Sequence, residues 1–260
     1  MVILYFFVGF LATCIGAIAG IGGGFIISPI LISIGTFSIS TIGVLSSSTV
    51  LTMSIVSTIK QLVNKGKYEV RTTSLLIIGS IIGGIFGSDI FKYAVRSFSN
   101  KSMVEFIQSI ILAIVLIFVL YYMRNKEKLR TYNVKNFIMC ILIGLLLGMI
   151  SAFLGIGGGP LNVAVLTIFF SMDTKSCVRN SIVMILFSQS AKLINIAITS
   201  GFVGMNLSVL PYMIVGGVVG GIVGSSVNKK ISSENIVKLF DIILILMILV
   251  NIFNIVKAII

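Results

Sequence analysis

Long apolar runs alternate with short polar loops along this chain. Runs such as Ile107–Met123 and Ile236–Val250 are long enough, or nearly so, to cross a hydrocarbon core at about 1.5 Å per residue. Helical spans are predicted in two groups of three: about Thr41–Lys60, Thr72–Tyr93 and Met103–Met123, then Ser176–Ile198, Leu207–Val227 and Asn235–Ile255. The pattern predicts an all-α, polytopic membrane protein.

A longer apolar stretch precedes each group of three, at Val2–Gly35 and at Phe137–Phe170, and the sequence GIGGG interrupts both. As a single helix, such a stretch would be roughly 50 Å long, too long for one straight crossing. Clustered glycine disfavours a helix by about 1 kcal/mol per residue, so breaks are predicted at Gly22–Gly24 and Gly157–Gly159. Each stretch should form a hairpin, either re-entrant or made of two tilted spans.

The chain contains an internal repeat. Gly9–Gly24 resembles Gly144–Gly159 and shares its intact GIGGG, while Gly79–Ser88 matches Gly216–Ser225 at six of ten positions. Two glycine-patterned blocks in the same order indicate duplication. We therefore divide the chain into a first transmembrane repeat (1–123), a basic cytoplasmic linker (124–136) and a second transmembrane repeat (137–260).

Composition agrees with a membrane protein. Apolar residues make up 57% of the 260 residues, charged residues only 10%, and the mean hydropathy is +1.18. A soluble domain carries about 25% charged residues. The first basic residue is Lys60, so Met1–Ala19 lacks the basic start of a signal peptide and is expected to remain in the folded protein. Three cysteines without metal spacing are expected to be free packing residues: Cys14, Cys140 and Cys177.

The net charge of +12 would suggest nucleic acid in a soluble protein, but in a membrane protein basic loops fix topology and meet anionic lipid. We therefore expect the lipid bilayer, and not nucleic acid, as a partner. If each half is a hairpin plus three spans, the halves are inverted, and fourteen of nineteen Lys and Arg residues lie on the cytoplasmic side with the linker. Parallel halves would place eleven of the Lys and Arg residues on one side of the membrane and eight on the other. The positive-inside rule therefore favours inversion.

The two glycine breaks are the first candidate binding sites. Non-helical backbone at membrane depth is tolerated where it is buried in protein or lines a wet cavity. A new helix begins after each break, at Phe25 and at Pro160, and the free N–H groups of a helix start favour an anion. The alternative is that the glycines only permit close helix crossing, as we infer for the ladders Gly79-x₃-Gly83-x₃-Gly87 and Gly216-x₃-Gly220-x₃-Gly224.

Polar residues that begin the second helix of each half are the next candidates. They are Ser46, Ser47, Ser48 and Thr49 in the first half and Asn180 and Ser181 in the second, followed by Gln189 and Asn195. Hydroxyls and amides can bond an anion's oxygens without a fixed charge that would trap it. Alternatively, they bond their own helix backbone or a neighbouring helix.

Charged residues contribute less to this picture. Lys60 and Lys192 lie at similar places near a helix end, where snorkelling to the interface explains them. Histidine is missing from the whole sequence, and neither a nucleophile–base pair nor a metal cluster is evident. We therefore expect no enzyme, no metal site and no cofactor.

The duplicated glycine motif, the basic middle and the later glycine block resemble the sulfite exporter TauE/SafE family of membrane permeases. The resemblance extends over essentially the whole chain. It implies transport of sulfite, sulfoacetate or other sulfonates across the cytoplasmic membrane. The motifs of the family match the glycines of both breaks and Ser46–Ser48, and they match Asn180 and Ser181 more loosely. Those glycines are Gly22, Gly23, Gly24, Gly157, Gly158 and Gly159.

Two hypotheses follow. The first is a secondary transporter of a small anion, driven by an ion gradient or by the anion's own potential, with homodimerisation left open. The second is a membrane assembly or sensor subunit that transports nothing and uses its glycines only for packing. The pair of matched helix breaks favours the first, because packing does not require them.

Overall fold

Ten helices make up the described part of the chain, with no strand among them. The structure is a computed structural model that describes residues 2–66, 68–97, 101–125, 130–154, 157–199 and 201–259. The helices are α1 (Val2–Ala19), α2 (Gly24–Ile34), α3 (Ile39–Val63), α4 (Val70–Ser97), α5 (Lys101–Arg124), α6 (Phe137–Leu154), α7 (Gly159–Phe170), α8 (Thr174–Thr199), α9 (Leu210–Lys230) and α10 (Ser233–Ile259). The all-α prediction is confirmed.

Seven helices within the described residues are long and apolar enough to cross a membrane: α1, α3, α4, α6, α8, α9 and α10. The predicted spans correspond to α3, α4, α5, α8, α9 and α10, and most of these helices extend a few residues beyond the predicted bounds. One reason is visible at α3, where the side chain of Ser38 accepts a hydrogen bond from the Thr41 N–H and caps the helix start. The protein is a multi-pass membrane protein.

The two interrupted stretches form hairpins with unequal limbs. The second limbs, α2 and α7, have 11 and 12 residues, or roughly 16–18 Å, which is too short to cross the hydrocarbon core. In the first hairpin, the Tyr5 hydroxyl near the start of α1 hydrogen-bonds that of Thr36, just after α2, at 3.1 Å. In the second, the N–H of Tyr132, before α6, donates to the carbonyl of Ile168 at the end of α7. Each hairpin therefore returns to the side from which it started.

The predicted break positions were slightly wrong. Gly24 and Gly159 are the first residues of α2 and α7, so the non-helical segments end at Gly23 and Gly158. Pro160 lies in the first turn of α7, as predicted. The first two residues of the second GIGGG, at 155 and 156, lie outside the described residues.

The glycine ladders bring helices from different halves into backbone contact, as their spacing predicted. On α4, a β-carbon at Gly79 or Gly83 would meet backbone atoms of Ile141 and Leu145 on α6. On α9, a β-carbon at Gly216 would lie 2.6 Å from the carbonyl oxygen of Phe6 on α1. Small residues of this kind allow two membrane helices to pack closely. The halves are thus interlocked, while their boundaries and inverted orientation remain predictions.

Candidate functional site

A cavity of about 240 Å³ lies beside the second glycine break, enclosed by residues of α4, α6, α7 and α8. It is smaller than the roughly 300–1,000 Å³ of pockets for drug-sized ligands, so it suits a solute of a few heavy atoms. Its polar lining comes from Ser80, Ser88, Ser151, Asn162, Ser188, Gln189, Lys192, Asn195 and Thr199.

The second glycine break forms one wall of the cavity. Gly157 and Gly158 have φ angles of 66° and 83°, a backbone conformation that glycine adopts at little cost. A β-carbon on Gly157 would lie 2.8 Å from Nε2 of Gln189, and one on Gly158 would lie 3.1 Å from Oδ1 of Asn162. Glycine therefore lets these two amide side chains approach the backbone of the break.

Two buried polar atoms of the cavity wall have no hydrogen-bond partner among the described residues. They are Oγ of Ser151 on α6 and Oδ1 of Asn162 on α7, whose residues are only 7% and 2% exposed. Leaving a buried polar group unpaired costs about 1–3 kcal/mol. Each atom has less than 1 Å² of accessible surface, so contact with a bound polar solute or water requires its side chain to rotate toward the cavity.

Apolar side chains make up much of the remaining lining. They are Ile81 and Ile85 of α4, Leu147 of α6, and Met184 and Ile196 of α8. A solute in the cavity would therefore have both hydrogen-bonding groups and hydrocarbon around it.

The cavity lining extends from the tip of the second hairpin to the end of α8. Gly159, which follows the lining residue Gly158, lies against the backbone of Ile21, so the tips of the two hairpins are in contact. Thr199, the exposed last residue of α8, also belongs to the lining.

The first glycine break is packed shut. A β-carbon on Gly22 would meet side chains of Ile185 and Val50, and one on Gly23 would meet the backbone of α1 at Ala12 and Thr13. Phe25, which was also predicted to be at a site, is 3% exposed and belongs to the hydrophobic core. None of these residues lines the cavity.

The polar patch of α3 lies two turns into the helix, not at its start as predicted. Ser46 is close to the first break, where its hydroxyl donates to the carbonyl of Gly24 at 3.4 Å. Thr49 donates to the Leu45 carbonyl of its own helix at 2.7 Å, and Ser47 is 2% exposed. Together with the half-buried Ser48, these residues lie outside the cavity.

Asn180 and Ser181 also lie two turns into their helix, and they connect other elements. Oδ1 of Asn180 accepts from Oγ1 of Thr73 at 2.7 Å and from the N–H of Glu69 at 3.2 Å, which attaches α8 to the start of α4. The Ser181 hydroxyl donates to the Gly20 carbonyl at 2.6 Å. These contacts are the helix-to-helix bonds that the sequence offered as the alternative.

Of the residues predicted from sequence, the structure brings Gly157, Gly158, Gln189 and Asn195 together in the cavity. Pro160 is buried at the start of α7 next to it. Sequence reasoning missed Ser151 and Asn162. A signal for Asn162 exists, because at the repeat offset its counterpart in the first half is the fully buried Ile27.

A second cavity, of about 480 Å³, lies near the start of α4, the linker and the start of α8. Its lining carries both signs of charge, with Arg71 and Lys135 beside Glu69 and Asp173. The balance of charges gives it no preference for an anion, so the cavity beside the second break is the stronger candidate.

A family model described as Sulfite exporter TauE/SafE matches residues 5–250 of the 260. The matched range includes both hairpins and all the residues that line the candidate cavity. Comparison with curated proteins and with solved structures finds no match to this chain.

Proposed function

The chain belongs to the sulfite exporter TauE/SafE family, a family of membrane permeases, and from this premise we propose that it is a secondary transporter of a small sulfur-containing anion. The proposed substrates are sulfite, sulfoacetate or another sulfonate. The proposed location is the cytoplasmic membrane, and the proposed mechanism is alternating access.

The unpaired polar groups in the cavity wall carry this proposal. The Ser151 hydroxyl is a donor, and the Asn162 amide can turn its NH₂ group toward an anion, since its Oδ1 is not held by a bond to any described residue. Gln189, 5% exposed, adds a second amide beside Gly157. An anion with several oxygens would accept hydrogen bonds from all three side chains. Neutral donors of this kind bind an anion without holding it so tightly that it cannot leave.

The asymmetry of the two hairpins supports alternating access. The second break borders a cavity, whereas the first break is packed against Ile185 and Val50. In transporters built from inverted repeats, two similar halves exchange such unequal arrangements, and the substrate site lies between them near the midplane. The contact of Gly159 with Ile21 supports a shared site near the hairpin tips.

The alternative, a membrane subunit that does not transport, explains the glycine ladders equally well. It does not explain a polar cavity beside a helix break, because close packing would fill that space with apolar side chains. The unpaired Ser151 and Asn162 therefore favour the transporter.

Flux into proteoliposomes tests the proposed function. Purified protein should exchange radiolabelled sulfite or a small sulfonate, and unlabelled oxyanions should compete. Choline and sucrose serve as cationic and neutral comparison solutes and should not compete. Absence of flux for every oxyanion in vesicles that contain folded protein would favour the subunit that does not transport.

A further inference from the structure

We propose that Lys192 supplies the positive charge that makes the cavity selective for an organic anion with a single negative charge. This inference rests on the proposed function and narrows it: of the proposed substrates, it favours a monosulfonate over sulfoacetate and over doubly charged sulfite, and it names the residue that selects the charge.

Lys192 is the charged member of the cavity lining; all the other described residues of the wall are uncharged. It lies about two turns before Thr199, the last residue of α8, on the same helix as Gln189 and Asn195. Lys192 therefore lines the same cavity as Ser151 and the second break.

The Lys192 ammonium group has no hydrogen bond or ion pair to any described residue. Lys192 is exposed, and its Nζ lies near Gly43 of α3, 4.0 Å from where a β-carbon on that glycine would stand. A cation within a membrane span is unfavourable unless it is paired or hydrated, and such residues commonly mark a substrate path. The missing counter-ion is what a bound anion would provide.

Lys60, which the sequence placed at a similar position in the first half, provides a direct contrast. Its Nζ donates to the carbonyl of Ile222 at 2.7 Å and to the hydroxyl of Ser226, both on α9. The protein itself satisfies this ammonium group. Two lysines at comparable places thus differ. Lys60 is half-buried and bonded to α9, whereas Lys192 is exposed, lines the cavity and has no partner among the described residues.

The cavity walls determine the class of anion. One lysine neutralises one negative charge, whereas a dianion would leave a net negative charge in a site whose other polar groups are neutral. The apolar side chains of the lining, which are Ile81, Ile85, Leu147, Met184 and Ile196, suit a short hydrocarbon body. A short-chain alkyl monosulfonate has both features and fits a volume of about 240 Å³.

Isothermal titration of the purified full-length chain in detergent tests the inference. The probes are ethanesulfonate, with one charge, and 1,2-ethanedisulfonate and sulfate, with two. The wild type should bind ethanesulfonate at least tenfold more tightly than either dianion. Lys192→Gln should weaken ethanesulfonate binding at least tenfold, and Lys192→Arg should keep it within about threefold.

Lys60→Gln is the matched control and should leave ethanesulfonate affinity unchanged. Thermal unfolding without ligand gives a second readout: Lys60→Gln should lower the midpoint because bonds to α9 are lost, whereas Lys192→Gln should not. Unchanged ethanesulfonate binding by folded Lys192→Gln, or a wild type that prefers the dianions, would overturn the inference while the proposed function stands. A wild type that binds none of the probes and transports no oxyanion would overturn both.

Discussion

Gly159, the first residue of α7, lies directly against the backbone carbonyl of Ile21 in the break of the first hairpin. The two non-helical segments of the molecule therefore meet, although some 135 residues separate them in the sequence. A movement of one hairpin tip must displace the other. This contact gives the two halves a direct mechanical connection next to the candidate site.

The first prediction concerns this contact. Gly159→Ala introduces a β-carbon where the Ile21 carbonyl lies, so it should lower the free energy of unfolding by about 1–3 kcal/mol, as overpacking does. The equivalent position in the first repeat, Gly24, provides the control. A β-carbon there would lie 3.1 Å from the Ser46 hydroxyl, which can rotate away, so Gly24→Ala should have a smaller effect. Equal thermal midpoints for the two variants would contradict the contact.

The second prediction separates a structural amide from the site. Asn180→Ala removes the bonds to Thr73 and Glu69, so it should lower stability by about 1–3 kcal/mol. The affinity for a sulfonate, measured by titration on the folded variant, should remain that of the wild type because Asn180 lies outside the cavity. A variant of normal stability that fails to bind would instead give Asn180 the role that the sequence assigned to it.

The third prediction concerns acid stability. Asp173 lies immediately before α8 and accepts a hydrogen bond from the Ser176 N–H at 3.1 Å. Burial raises the pKa of Asp173, but the hydrogen bonds from Ser176 and the charge of Arg179 outweigh it, so the pKa is lowered from 3.8. Because the pKa is lower in the folded state, ionised Asp173 stabilises the protein at pH values above its ordinary pKa. This stabilisation is lost as the pH falls through the lowered pKa of the folded state.

Asp173→Ala should therefore be less stable than the wild type at neutral pH by about 0.5–2 kcal/mol, the usual value of a helix cap. The difference in thermal midpoint between the two proteins should shrink as the pH is lowered below about 4, the ordinary range for an aspartate. A difference that is independent of pH would show that the Asp173 charge is not involved.

The fourth prediction concerns topology. If the halves are inverted, the first hairpin starts on the opposite side of the membrane from the second. In a background without the three native cysteines, Ser40→Cys after α2 and Asn133→Cys before α6 are both exposed and suitable for labelling. An impermeant maleimide should label Ser40→Cys in intact cells, and Asn133→Cys only after permeabilisation. Labelling of both from the same side would rule out the inversion.

Much of the fold could be predicted from the sequence, because membrane spans depend on long apolar runs and helix breaks on local glycine. The span predicted at about Thr41–Lys60 is α3, Ile39–Val63. The hairpins were also expected, but the short length of their second limbs, α2 and α7, was not. Glycine clusters do not show how far the following helix continues, since that depends on packing around its end.

The candidate site was less predictable because the GIGGG motif is the same in both halves. The two breaks differ in their neighbours. Ile185 and Val50 lie beside Gly22, whereas Gln189 lies beside Gly157. Such contacts join helices that are distant in sequence. Asn162 was the residue that could have been found earlier, since it replaces an apolar residue of the other repeat.

The most direct test of the central claim is sulfonate flux through proteoliposomes containing Asn162→Leu. Leucine keeps the branched shape and the number of side-chain heavy atoms of asparagine but removes the amide that borders the cavity. Asn251→Leu is the matched control, since its amide is also buried but donates to the Met247 carbonyl of its own helix, α10. The account predicts that folded Asn162→Leu loses at least nine-tenths of the flux, whereas folded Asn251→Leu retains most of it. Normal flux through Asn162→Leu would contradict an anion site beside the second glycine break.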